Sequence, residues 1–72
     1  MILHLDEQQT ATYTGNNTSI GFAKNNKYNV IVTQEKTGIY TVETIGNITT
    51  KSDCNKVCQY GSEVMVLKNW RF

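Results

Sequence analysis

An all-β fold of short antiparallel strands is predicted by three features of the chain. The first is the run Tyr28-Asn29-Val30-Ile31-Val32-Thr33-Gln34, Glu35-Lys36-Thr37-Gly38, Ile39-Tyr40-Thr41-Val42-Glu43-Thr44. Two β-branched and aromatic segments flank a short polar link ending in glycine, which is a hairpin signature. The second is a series of further short segments of the same kind, Thr10–Thr14, Ile48–Lys51 and Val57–Tyr60, set off by turn residues. The third is length: 72 residues allow one domain and no second core.

Taken in order, Ile2 to Leu5 is an apolar patch suited to an edge strand, and Asp6 to Gln9 reads as polar loop. Thr10 to Thr14 reads as a strand, because Thr and Tyr suit a pleated, half-buried surface. Residues 15–27 read as an irregular loop anchored by Ile20 and Phe22. In the central hairpin, Tyr28, Val30 and Val32 share one face by the period of two, as do Tyr40 and Val42 on the return, and both sets point inward. Gly38 suits the left-handed position of the link.

Gly46-Asn47 reads as a second tight turn, with a third strand starting at Ile48 and a further turn at Ser52-Asp53. Val57, Cys58 and Tyr60 form a short extended segment. Ser62 followed by Glu63 has the pattern of a cap and first turn, so one 3₁₀ or α turn is expected near residues 62–67. Asn69-Trp70-Arg71-Phe72 then closes as a last strand with Trp70 in the core. Five or six such strands with a late helical turn point to a small, strongly bent barrel, SH3-like or OB-like, whose closure would protect the sheet edges.

Composition narrows the function classes. Seven Lys and Arg against six Asp and Glu give a formal charge of +1, and the basic residues are scattered, without the basic face of a nucleic-acid binder. The opening Met1-Ile2-Leu3-His4-Leu5-Asp6 lacks the apolar core of about 7–15 residues that a secretory signal needs. No run approaches the about 18 apolar residues of a membrane span. The expectation is a cytoplasmic protein with reduced thiols and no membrane contact.

Three pieces, Tyr13-Thr14-Gly15, Lys27-Tyr28-Asn29-Val30, and Cys58-Gln59-Tyr60-Gly61-Ser62 leading to Asn69-Trp70, resemble small SH3-like barrel proteins of bacteriophages, prophages and Gram-positive bacteria. The resemblance covers residues 10–72, which it implies are a single SH3-like barrel domain of five to six antiparallel strands. Residues 1–9 are an N-terminal extension or edge strand. The family is largely uncharacterised, so the likeness implies a fold and a viral origin but no reaction.

No residue stands out as catalytic, cofactor-binding or metal-ligating. Cys54 and Cys58 are four apart and His4 is the single histidine, too few for a tetrahedral Cys/His site, so the thiols read as unreactive. His4 reads as an edge-strand surface residue. The six carboxylates form no spaced acid/base pair and read as solvated charges. Seven aromatics are many for this length; four or five belong inside, with an exposed Tyr13–Tyr60 pair as the candidate contact.

A barrel of this size is expected to have loops and an aromatic face for contact, but no pocket of the usual range of about 300–1,000 Å³. The function expected is a non-enzymatic protein-interaction module that modulates a host factor. It would bind through the 15–27 loop and the 35–38 hairpin tip, which carry Asn16, Asn17 and Lys36, and through Tyr13 and Tyr60. A host protein or a second copy is the expected partner. The alternatives are a single-stranded nucleic-acid-binding barrel and a structural subunit that oligomerises through residues 2–5.

Overall fold

The computed structural model describes residues 4–15 and 21–72, save the side chain of Cys54. Five strands and one helix follow in the order β1 (Gln8–Tyr13), β2 (Lys27–Gln34), β3 (Tyr40–Asn47), β4 (Ser52–Tyr60), α1 (Glu63–Asn69) and β5 (Trp70–Arg71). They form one antiparallel sheet in the order β4-β3-β2-β1-β5. Among the described residues β4 and β5 are its edges, so the sheet is open. The coarse expectation, a small antiparallel β domain with one helical turn before the last strand, describes what is observed.

The central hairpin follows its alternation. Tyr28, Val30, Val32 and Val42 are buried, and Tyr40 is half-buried against them. In the link, the Gly38 amide donates to the Glu35 carbonyl at 2.9 Å, and the Glu35 amide donates to the Ile39 carbonyl at 2.9 Å. Gly38 has φ 92°, the left-handed conformation in which a side chain is unfavourable.

The second hairpin differs from the expectation. Gly46 and Asn47 lie inside β3, the turn is Ile48 to Lys51, and Ser52-Asp53 opens β4. The reason is the bonding around the turn. The Ile48 amide donates to the Lys27 carbonyl at 2.7 Å, the Asn47 Oδ1 accepts from the Thr50 amide at 3.1 Å, and Lys51 takes the left-handed position at φ 56°.

The front of the chain also departs from the reading. Gln8 and Gln9 belong to β1, because pairing with β2 continues to Gln8↔Ile31 and the Asp6 amide still reaches the Val32 carbonyl at 2.8 Å. Leu5 packs against the core instead of forming a strand, and His4 is likewise outside any strand. Ile2, Leu3 and Ile20 lie outside the described residues.

The helix forms where the cap predicted it and runs two residues further. Ser62 Oγ accepts from the Met65 amide at 3.3 Å, Glu63 sits in the first turn and Lys68 in the last. The Thr14 hydroxyl donates to the Lys68 carbonyl, and the Thr14 and Gly15 amides donate to the Asn69 carbonyl. These bonds tie the helix end to β1, so Trp70 enters beside Tyr13.

Four rings make the centre of the core. Phe22 and Trp70 stand 5.1 Å apart, with Tyr13 and Tyr28 each 5.1–5.6 Å from both, mostly edge to face. Phe22 reaches this cluster from the segment before β2. That segment is held by the Ala23 amide donating to the Tyr28 hydroxyl at 2.8 Å and the Asn25 amide donating to the Tyr13 carbonyl at 2.7 Å.

Candidate functional site

The site grows from an irregularity in β3. Between Thr44 and Gly46 the pairing shifts on both sides. On β2, Val30 faces Thr44 and the next residue, Asn29, already faces Gly46, so Ile45 has no partner there. On β4, Lys56 faces Thr44 and Asp53 faces Gly46, so two residues fill the space opposite Ile45. Such bulges bend a sheet and re-aim side chains.

Thr44 secures the bulge from inside. It is fully buried, and its hydroxyl accepts from the Lys56 amide at 3.0 Å and donates to the Lys56 carbonyl at 3.1 Å. A side chain thus satisfies both backbone groups of Lys56 at a place where unpaired backbone groups are costly. The same lysine is a strut. Its ammonium donates to the Gly21 carbonyl at 3.1 Å, linking the edge strand to the segment that carries Phe22. A bulge and a lysine on the core-facing side are two devices that discourage a neighbouring chain from adding to β4.

Outside the bulge lies a shallow cleft of about 300 Å³, lined by Asn29, Ile45 to Ile48, Lys51, Ser52 and Asp53. The expectation of no pocket of that size is therefore not met: residues of β2, β3, the 48–51 turn and the start of β4 line this depression beside the bulge. Ile45 and Ile48 in its lining are each 38% exposed, and Val57 further along β4 is 63% exposed. Lys51 and Asp53 place opposite charges in the same cleft, and Asn29 and Asn47 add carboxamides. Each carboxamide carries both donors and an acceptor.

The residues expected to make contact lie elsewhere. Tyr13 is completely buried among Phe22 and Trp70, so the expected exposed Tyr13–Tyr60 pair does not exist. The physical reason is the alternation of β1, which sends Ala11 and Tyr13 to the core together. Tyr60 is half-buried, and its hydroxyl accepts from the Trp70 indole N–H at 3.0 Å. Burial pushes its phenol well above the ordinary value, and a hydrogen bond with the Cys58 thiol adds to the shift.

Lys36 is exposed on the 35–38 link, at the opposite end of β3 from the cleft. Asn16 and Asn17 lie outside the described residues. Reading the sequence missed Ile45, Ile48, Lys51 and Asp53 as a group, since Gly46-Asn47 was assigned to the turn itself. The signal present was the pair of isoleucines bracketing Gly46-Asn47.

Other groups are dispersed. His4 Nδ1 lies 3.9 Å from Glu7 Oε2 with both side chains mostly in solvent, a pairing of little energetic weight. All six carboxylates are exposed. Among the described residues no group of three His, Cys, Asp or Glu is placed to hold a metal ion. Cys58 is a free, half-buried thiol.

The fold and cleft define a class, a small open antiparallel β domain with a polar surface notch at a hairpin end. Comparison with protein-family models, with curated proteins and with solved structures yields no match. Among the described residues no helix is long and apolar enough to cross a membrane.

Proposed function

We propose that this protein is a non-enzymatic protein-interaction module that receives its partner at the β3–β4 hairpin. The observation that carries the reading is the exposure of Ile45 and Ile48 in the lining of the cleft, together with Asn29, Asn47, Lys51 and Asp53. Partly exposed apolar side chains set among hydrogen-bonding groups are a composition that contact patches use. The scaffold of this reading is an SH3-like barrel. An uninterrupted meander from β1 to β4, with β5 added beside β1, supports it over the Greek-key OB arrangement. A phage or prophage origin, a host factor as partner and a cytoplasmic setting belong to the same proposal and rest on the sequence resemblance.

The test is selection of peptides from a random displayed library against the folded protein, followed by amide-shift mapping of a selected peptide. The expected shifts fall on residues 45–53. Ile48→Asp should weaken binding at least about tenfold, while Lys36→Ala leaves it unchanged. Shifts clustered on residues 35–38 would refute the surface. Salt-sensitive binding of an oligothymidylate, with no peptide bound, would favour the nucleic-acid alternative.

A further inference from the structure

Gly46 lines the cleft beside the bulge, yet neither its backbone conformation nor its packing demands a glycine there. Positive φ is found at Gly21 and Gly38, and Gly46 has none. A Cβ built on it would meet nothing nearer than the Ser52 carbonyl oxygen at 3.7 Å, an ordinary contact. Neither backbone conformation nor packing excludes a side chain, and glycine in a strand interior costs stability. A strand glycine marks a bulge, a tight bend or a place where another backbone comes close; the bulge is present here but, without positive φ or crowding, would accept a side chain.

The neighbours say what approaches. Asn29 on β2 and Asp53 on β4 pair directly with Gly46, so the three share one face of the sheet, and all three line the cleft. The missing side chain leaves a notch between a carboxamide and a carboxylate. Lys51 and Asp53 offset one another, so the cleft favours neither a phosphate nor a free cation. A neutral group that both donates and accepts hydrogen bonds fits this lining, and the peptide unit is such a group.

We propose that Gly46 is the point at which the main chain of an extended partner segment crosses the sheet. Its peptide groups bond to Asn29 and Asp53, and its side chains rest on Ile45 and Ile48. This deepens the interaction reading above and rests on it. Glycine at position 46 sets specificity by admitting backbone to a depth that any side chain would deny.

The experiment uses the full chain and a peptide selected as above, acetylated and amidated. Gly46→Ala should keep or raise the unfolding temperature and weaken binding about tenfold or more. Gly46→Val should weaken it further, and methylating the central peptide nitrogen of the ligand should have a similar effect. If Gly46→Ala binds like the wild type while Ile48→Asp does not, the crossing at Gly46 is refuted and the interaction surface stands. If Ile48→Asp is also silent, the surface itself falls. Should Gly46→Val fail to fold, Gly46→Ala decides alone, since its added carbon has room.

Discussion

The hydroxyl of Thr44 occupies both backbone groups of Lys56, accepting from its amide at 3.0 Å and donating to its carbonyl at 3.1 Å. This contact sits at the bulge of β3, beside the cleft, on the same lysine whose ammonium reaches the exposed Gly21 carbonyl. Thr44→Val preserves shape and deletes the hydroxyl. The expected cost is about 1–3 kcal/mol, the penalty for leaving partly buried polar groups unmatched. Thr44→Ser should recover most of it. Urea unfolding of the three proteins measures both, and a valine variant as stable as the wild type would show that the bulge does not depend on this bond.

Two glycines separate backbone strain from steric clash. Gly38 has φ 92° and nothing within 4 Å of an added Cβ, so Gly38→Ala should cost about 1–2 kcal/mol from conformation alone. Gly21 has φ 88°, and its Cβ would overlap the Lys56 ammonium, so Gly21→Ala must also displace the strut. The lysine end can swing aside, so the second substitution should cost more than the first only by the loss of the Lys56 bond to the Gly21 carbonyl. Hydrogen exchange should show faster opening at Phe22 and Ala23 only in the Gly21 variant.

Tyr60→Phe removes the acceptor of the Trp70 indole N–H and should cost about 1–3 kcal/mol at neutral pH. The phenol also links stability to pH. Its value is raised in the folded state, chiefly by burial, so between the unfolded value of about 10 and the folded one the unfolded chain loses a proton that the folded chain keeps. Stability should be unaffected by this group below about pH 10 and fall above it. The fall should be shallower in Tyr60→Phe, read by unfolding midpoints across the alkaline range. Parallel curves for the two proteins would exclude Tyr60 as the source.

Phe22→Ala tests the four-ring centre. Phe22 stands 5.1–5.5 Å from Trp70, Tyr13 and Tyr28, and removing a buried ring costs about 3–5 kcal/mol. A domain of this size has stability near the low end of about 5–15 kcal/mol. The variant should lose most of its near-ultraviolet dichroism at room temperature. A well-folded Phe22→Ala would mean that the segment before β2 is not part of the cooperative core.

Much of the architecture was legible because it depends on neighbours in the chain. Alternation placed Tyr28, Val30, Val32 and Val42 inward, glycine at 38 marked the left-handed link, and Ser62-Glu63 announced the helix. The expected site was not legible in the same way. Tyr13 looked available for contact because tyrosine is amphipathic, yet its burial depends on Phe22 and Trp70, 9 and 57 residues away in sequence.

By itself, then, the chain determined strand character, the first hairpin and the capped helix, since these follow from side-chain period and local backbone preference. Only the tertiary structure decided that, among the described residues, β4 is an edge of the sheet, that the second turn falls at residues 48–51 and that a cleft forms beside Gly46. The turn and the cleft lie beside the bulge at Thr44 and the Ile48 amide's bond to the Lys27 carbonyl. The bulge and that bond arise between strands, and no period along a single strand encodes them.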